Sequence, residues 1–549
     1  MTTHSASHQR SILIGWASIL LALVVYCAGL GSDHLATNGD ELLYAQISKL
    51  TAATGELLPL QSFEDRLRNT KPPLLFWQGI LSTDWGDHWS LALLRAPNVL
   101  YTLLTAGLLI LIGWKRTRSI PLGLMAALLF LCFFSTYRYG RVFLTSAPET
   151  FWLFAPLTLL LLHKEPRFPS GMIWPWIWGG MIGIGLLYKS FALVIPAAIT
   201  MALWQLRARR WKLRPFLIND LWRISLTVVA ALLLFSIWFW LDPHPMLVLK
   251  DFVLRENAGK FDTGGENYFL NLIWGQSSIW RIVVSYPLNA GLLGLLTAAL
   301  FWDTWKRRHH LGQLEIFLWI WMLVLAAFFC IPNQRDERYL LPAMPALALL
   351  LAMRLGHLPR WLSSVTIAAS GIIILGLSGL ALLLQHATGI SLYPLWLLLP
   401  LAAALLVLLY GLFQRELTRT LMPASVLLVY LGYYLFLIPL DHGPGLFIGE
   451  GVESVIGCEV AVPSNFNARE ESYGFLLPGA IVKPYNQSIL PPKTPFIVLS
   501  QPLDKGSPDG VILAKRLNMI DRFNAAETRD ILLGNITHHL FHWDWLVQR

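Results

Sequence analysis

Long apolar runs organise this chain. They lie at 12–31, 91–113, 120–136, 145–162, 171–188, 190–206, 220–241, 284–303, 312–332, 339–356, 361–384, 393–413 and 422–440. A helix of about 20 residues, rising about 1.5 Å per residue, matches a bilayer's hydrocarbon core. The pattern therefore predicts about thirteen spanning helices joined by mostly short loops. Two polar interruptions are longer, 32–90 and 242–283. Beyond 440 the apolar stretches shorten to β-type runs such as GCEVAVP, PFIVLS and GVILAKRL, followed by a helix-like AAETRDILLGN. A membrane module over 1–440, carrying both long loops, and a small mixed α/β domain over 441–549 are expected.

The first long loop carries the densest chemistry, NGDELLYAQISKL and later NTKPPLLFW. Asn38 with Glu41 fits a helix-capping pair, and Leu42, Leu43, Ile47 and Leu50 give the helix an apolar face suited to lying along a membrane surface. Asp40 and Tyr44, one turn apart, share another face. Glu41 either caps this helix or stands beside Asp40 as an acid, and Asp40 either favours the helix's positive end or meets substrate. Lys71 precedes Pro72 and Pro73, and proline in a first turn before LLFWQGIL predicts a short helix. A lysine at a helix start suits a phosphate oxygen; the plainer alternative is a lysine snorkelling at the lipid boundary. In the second long loop Arg255, Glu256, Asn257 and Lys260 fall at helical spacing before a Gly-rich stretch, as a solvated amphipathic helix or a substrate loop.

Composition agrees with a membrane protein: 55% hydrophobic and 14% charged residues, with 24 tryptophans, against about 25% charge in soluble domains. The net charge of +9 comes from basic residues gathered in short loops: Lys115, Arg116 and Arg118; Lys164 and Arg167; Arg207, Arg209, Arg210, Lys212 and Arg214; Lys306, Arg307 and Arg308; then Arg354, Arg360, Arg415 and Arg419. Orientation signals have this pattern, and they predict a cytoplasmic N-terminus with both long loops and the C-terminal domain on the far side. No basic stripe interleaves with aromatics outside the membrane runs, which argues against a nucleic-acid partner. Cys27, Cys132, Cys330 and Cys458 are scattered and suggest neither a disulfide framework nor a metal knuckle. His538 and His542, one turn apart on an expected helix, lack a third metal ligand. The N-terminus has no small-residue cleavage pattern, so the first run is read as an uncleaved membrane helix. On the far side Arg138, Arg141, Glu149, Lys189 and the cluster NQRDERY from Asn333 to Tyr339 mix acids and bases at helix ends, where charges near hydrocarbon are functional suspects.

Five stretches in order, DELLYA, TKPPLLFW, LLYKSFALVIPA, FVLRENAGKF and NQRDERYLLPAMPALALL, give a resemblance over 10–360. The chain resembles the GT-C fold glycosyltransferases that use polyprenyl-phosphate sugars, and within them is most similar to the aminoarabinose transferases that modify lipid A. Protein O-mannosyltransferases are more distant. The resemblance implies an α-helical polytopic membrane protein of GT-C fold in the bacterial inner membrane, with periplasmic amphipathic loop helices and a C-terminal periplasmic α/β domain. It implies transfer of 4-amino-4-deoxy-L-arabinose or a related sugar from undecaprenyl phosphate to lipid A or another envelope glycolipid; attack from the face opposite the leaving phosphate would invert the anomeric carbon. Its partners are that donor, that acceptor and membrane lipids; no cofactor is required, and a divalent metal is left open.

Carried over by motif, Asp40 takes the catalytic acid position, Lys71 is the lysine of the KPP motif, Lys189 the lysine that approaches donor phosphate, and Arg335 and Arg338 the basic residues before the late Tyr-Leu-Leu-Pro. Lys71, Lys189, Arg335 and Arg338 are thus the donor-phosphate candidates; by position in the chain, Glu41 and Lys71 are further catalytic candidates and Tyr44, Arg138, Glu149, Arg255, Glu256 and Tyr339 substrate candidates. Three departures bear on the sugar more than on the reaction: Thr70 stands where Glu usually precedes KPP, the later loop lacks histidine, and Ser146 replaces the aspartate of an LTD-type motif. Displacing a polyprenyl phosphate builds negative charge on its oxygens, which lysine and arginine stabilise in a partly dehydrated site. Asp40 is the natural general base for a hydroxyl acceptor; for an ionised phosphate acceptor it would orient the acceptor or steady the sugar cation. The rival readings are a protein O-glycosyltransferase and a transporter. Transporters favour charges near the midplane in repeated halves, and here the charges gather at one face with no halves visible.

Overall fold

The structure is a computed structural model. It describes residues 2–35, 40–63, 65–163, 168–169, 171–261, 268–275, 277–463, 469–486, 494–520 and 523–549. Asn38, the Gly-rich stretch after Phe261 and the Lys164/Arg167 loop lie outside the described residues. Helices occupy all thirteen apolar runs: α1 Thr2–Cys27, then, after the loop helices α2 Asp40–Ala52 and α3 Leu74–Ser82, α4 Leu91–Thr117, α5 Ile120–Cys132, α6 Ser146–Leu162, α7 Ile173–Tyr188, α8 Val194–Ala208, α9 Trp222–Leu241, α10 Gly294–Lys306, α11 Gln313–Cys330, α12 Met344–Arg354, α13 Arg360–Thr388, α14 Leu398–Phe413 and α15 Thr418–Asp441. Among the described residues, 7 helices are long and apolar enough to cross a membrane, and four further apolar helices have 10–17 residues.

Local chemistry sets the helix ends. Ser90 accepts from the Leu93 N–H to cap α4, whose last turn carries Lys115 and Arg116 against the negative helix end and closes on Arg118 in the left-handed region. Ser119 then caps α5, with proline in its first turn. Gly113 and Gly123 face each other across this hairpin so closely that a Cβ on either would collide with backbone of the other helix. The α4–α5 pair packs on α6, α12 and α1, and α13 packs on α15.

The C-terminal sheet has strands β1 Glu459–Pro463, β2 Ile481–Tyr485, β3 Phe496–Pro502, β4 Val511–Met519 and β5 Phe541–Gln548 in the order β2-β1-β3-β5-β4. β1 is parallel to β2 and β3, whereas β5 is antiparallel to β3 and β4. One sheet face shares a core with the membrane module: Leu384 of α13 and Phe436, Leu437 and Leu440 of α15 pack with Ile497, Leu517, Phe541 and Val547. Around that seam runs a polar network. Ser32 donates to Asp441 at 2.7 Å, His34 Nδ1 lies 3.1 Å from the same carboxylate, and fully buried Arg516 bonds Asp544 at 3.0 Å and reaches Asp33 at 3.4 Å. These contacts tie the stretch leading to α2 to the sheet.

Two expectations are corrected here. The apolar face of α2 is not left free for a membrane surface: Leu42, Ala45 and Ile47 are buried in protein, Leu43 and Leu50 are half-buried, and Tyr44 meets Phe76 of α3 edge to face at 5.7 Å. Its apolar face finds a protein partner in α3, which satisfies the same hydrophobic stripe. His538 and His542 do not share a helix either. The helix Ile536–Leu540 ends before His542, which lies in β5, and His538 bonds Asp504 at 2.9 Å.

Candidate active site

A cavity of 1190 Å³ opens where α2, the chain before α3, the turn after α7, the loop 242–283 and the stretch before α12 converge. Its wall carries Asp40, Tyr44, Lys71, Lys189, Glu256, Arg338 and Tyr339 of the sequence candidates. It also carries Lys260, Ser190 and Asn257, and, from the C-terminal domain, Glu470 and Lys483.

Each element presents its group for a local reason. Asp40 and Glu41 open α2, where carboxylates favour the positive helix end, and the turn of the helix sends them in different directions. Lys71 sits before the prolines at the start of α3, near that helix's N-terminal end. Lys189 ends α7 in a conformation outside the helical region (φ −137°, ψ −59°), and Ser190 caps the next turn by accepting from the Ala192 N–H. Glu256 and Asn257 end a π-type helix, Leu249–Asn257, continued by the turn Ala258–Phe261 that carries Lys260. Asp336 caps the helical run Glu337–Ala343, accepting from the Arg338 N–H and so fixing the backbone that holds Arg338.

Four ion pairs, on three carboxylates, hold these charges. Arg338 donates to Asp40 at 3.0 Å. Glu256 accepts from Lys71 at 2.9 Å and from Lys260 at 2.6 Å through the same oxygen. Lys189 donates to Glu149 at 2.7 Å and lies over the Tyr339 ring at 5.3 Å. Ser190 donates to Asn257 at 2.7 Å, joining the α7 turn to the loop. Burial alone raises the Glu256 carboxyl pKa, but Lys71 and Lys260 outweigh it and hold that carboxyl below its ordinary value. Burial and repulsion from Lys71 lower Lys260. Burial, then the Asp40 charge, push the Tyr44 phenol well up, so it stands in the cavity as a neutral donor.

Glu149 is wholly buried behind Lys189, and one of its oxygens has no hydrogen-bond partner. It reaches the cavity through Lys189 and does not line it.

Four other candidates stand elsewhere. Glu41 is fully buried and pairs with Arg95 of α4 through two bonds, at 2.7 and 2.9 Å, while accepting from the Phe143 N–H at 2.8 Å. It is a buried tie between loop and membrane module and does not line the cavity, so it cannot meet substrate there. Arg335 is buried and spends its guanidinium on the carbonyls of Cys330 and Ser277 at 2.9 and 2.7 Å. It holds its own loop and is not among the cavity residues, although its Nη2 is buried without a hydrogen-bond partner. Arg255 is exposed, turned away from its neighbour Glu256, and is not among the cavity residues. Arg138 lies over the Phe134 and Tyr139 rings and is not among the cavity residues. Arg141, noted with it on the far side, is buried against the Tyr137 ring at 4.7 Å.

Sequence reasoning passed over Arg95, although an arginine in the first turns of an apolar run demands a buried partner and was a readable signal. Nothing local marks Glu470 or Lys483. They arrive because Gln46 of α2 donates to Glu471 at 2.8 Å and Trp89 stacks on Phe475 at 6.0 Å, seating the C-terminal domain against the first loop.

The sequence family described as dolichyl-phosphate-mannose-protein mannosyltransferase matches residues 32–246. The undecaprenyl phosphate-alpha-4-amino-4-deoxy-L-arabinose arabinosyl transferase of Pseudomonas aeruginosa (strain UCBPP-PA14) is 27% identical over 378 residues, which cover 67% of this chain and 64% of that protein. The matched stretch thus spans less than two thirds of that relative's length. The enzyme of the same name from Edwardsiella ictaluri (strain 93-146) is 26% identical over 407 residues, 70% of this chain and 68% of that one. Among solved structures, ArnT from Cupriavidus metallidurans in the apo state superposes with a TM-score of 0.54 at 17% identity, covering 85% of both chains. The same protein bound to undecaprenyl phosphate gives 0.53, also at 17% identity, covering 85% of this chain and 86% of that one. In fold and in sequence, the chain is similar to the ArnT-type GT-C glycosyltransferases.

Proposed function

We propose that this chain transfers a sugar from an undecaprenyl-phosphate donor to lipid A or another envelope glycolipid, within the bacterial inner membrane and with the cavity facing the periplasm. The observation that carries this reading is the convergence of Asp40, Lys71, Lys189, Glu256 and Arg338, from five separated stretches, on one cavity. Its cations are held by carboxylates in the resting arrangement. A donor phosphate arriving there competes with Glu256 for Lys71 and with Asp40 for Arg338. Once Arg338 turns to phosphate, the Asp40 carboxylate is released toward the acceptor. As the bond between the anomeric carbon and the phosphate oxygen breaks, charge grows on oxygens facing Lys71, Lys189 and Arg338, which are already positioned. Asp40 then takes the proton of a hydroxyl acceptor, or steadies the sugar cation when the acceptor is an ionised phosphate. Attack from the opposite face inverts the anomeric carbon, which product stereochemistry reads directly.

The relatives' printed name makes 4-amino-4-deoxy-L-arabinose the first donor sugar to try. A polypeptide hydroxyl acceptor is the second reading, and the match to a protein mannosyltransferase family favours it. Lipid A mass spectra from cells with and without the protein, and with Asp40→Ala or Lys71→Ala, test the first reading. A mass increment that requires both side chains is expected. An increment surviving either substitution removes that residue from the site, and glycan on exported proteins alone transfers the case to the second reading.

A further inference from the structure

A second cavity, of 500 Å³, lies at the other end of α8 from the active site, lined by Trp204, Arg207, Ala208, Arg210, Trp211 and Gln313. α8 carries 15 residues between them, which places the two cavities about 22 Å apart along its axis. We infer that this second cavity binds the phosphate of an anionic membrane phospholipid.

Three independent features lead there. The first is unspent positive charge. Arg207 Nε is buried without a hydrogen-bond partner, and such a donor is costly unless an acceptor reaches it. No carboxylate among the described residues pairs with Arg207 or Arg210. Asp220 is taken by Arg209 through both oxygens, at 2.8 and 3.1 Å. Glu315 is taken by Arg354 and by the Gly312 N–H. The positive end of α11, at Gln313, adds to the field.

The second feature is backbone strain. Arg210 and Trp211 occupy the left-handed region in succession, at φ 54° and 62°, a conformation that side-chain-bearing residues rarely adopt and that concentrates at ligand clamps. The turn is held by Arg210 N–H to Arg207 O at 2.8 Å and Trp211 N–H to Leu206 O at 2.9 Å.

The third feature selects a lipid over a soluble anion. Trp204 is buried in the cavity wall while Trp211 is 60% exposed, and exposed Leu213, Leu217, Ile218 and Trp222 continue the apolar surface beside it. Tryptophan marks the headgroup level of a bilayer, and basic pockets between helix ends there receive anionic headgroups. A phosphate between the two arginines would leave its acyl chains on this apolar surface.

Native mass spectrometry of the purified full chain, titrated separately with phosphatidylglycerol, phosphatidylcholine and inorganic phosphate, tests the inference. Phosphatidylglycerol should bind tightest. Arg207→Gln and Arg210→Gly should each weaken it about fivefold, the scale of one basic residue at a lipid surface. Arg210→Gly keeps the left-handed turn without strain, so it should melt no lower than the parent while losing lipid, which separates binding from folding. Arg308→Gln, basic but outside the cavity, should bind as the parent does. Equal phosphatidylglycerol affinity in the parent and in both cavity variants overturns the inference, as does phosphatidylcholine binding equally well. Inorganic phosphate binding as tightly as the lipid overturns the lipid assignment.

Discussion

Replacing Glu41 with glutamine would leave the Arg95 guanidinium buried without its counter-charge. Both side chains have no solvent exposure, and the pair is made of two bonds at 2.7 and 2.9 Å. Arg95 would keep the Leu30 and Ser32 carbonyls, but the new amide would point an N–H at one of its nitrogens or at the Phe143 N–H. Breaking a buried pair from one side costs about 3–5 kcal/mol, which is about two to nearly four orders of magnitude in an equilibrium constant. Asp40 is one residue away, yet it and Arg338 are 25% and 29% exposed, so water reaches both charges and parting them costs less than parting a fully buried pair. The two substitutions should therefore separate. Glu41→Gln lowers yield and melting temperature in detergent while the folded fraction retains turnover; Asp40→Asn keeps yield and melting temperature and loses about 10²-fold or more in turnover. Solubilised yield, a thermal melt by tryptophan fluorescence and turnover per folded molecule decide the matter. A Glu41→Gln protein that melts like the parent but does not turn over would refute this assignment of roles.

Glu256→Gln should lower the KM for donor, because it removes the carboxylate that competes with phosphate for Lys71 and Lys260; a raised KM would show Glu256 contacting the sugar instead. Lys71→Met should raise that KM, with little change in melting temperature, since the lysine is only partly buried. Burial holds the His542 imidazole below its ordinary value, so the native sheet keeps it neutral. The unfolded state then binds more protons below about pH 6.5, and the stability contributed by β5 is full above that pH and falls as pH drops toward the depressed folded value. Hydrogen exchange of β5 amides between pH 7.5 and 5.5, roughly bracketing that value, should show this, and His542→Asn should flatten it. Gly79→Ala would set a methyl 2.6 Å from Phe143 Cζ and 3.0 Å from Ser48 Oγ. The α2–α3 contact should weaken by about 1–3 kcal/mol, seen as a lower melting temperature.

The sequence by itself determined the helices and much of the site. Apolar runs have one good conformation in hydrocarbon, because only a helix satisfies its own backbone there; each of the thirteen runs carries a helix, and among the described residues 7 helices are long and apolar enough to cross a membrane. The β-type runs GCEVAVP, PFIVLS and GVILAKRL overlap β1, β3 and β4, since short alternating stretches carry their own period. Lys189, Arg338 and Tyr339 were legible as candidates because charges and tyrosines at membrane-helix ends have few structural reasons to be there, and Asp40, Tyr44, Lys71 and Glu256 because the two long loops gather acids and bases at helical spacing. Only the tertiary structure decided which way each one faces. Adjacent helical residues point about 100° apart, so Asp40 enters the cavity while Glu41 meets Arg95, and Glu256 enters while Arg255 faces out. The seating of the C-terminal domain, which brings Glu470 and Lys483 to the cavity, rests on contacts hundreds of residues apart in the chain, such as Gln46 with Glu471. Local pattern encodes the period of an element, whereas the partner of a buried charge is a long-range choice made when the elements pack.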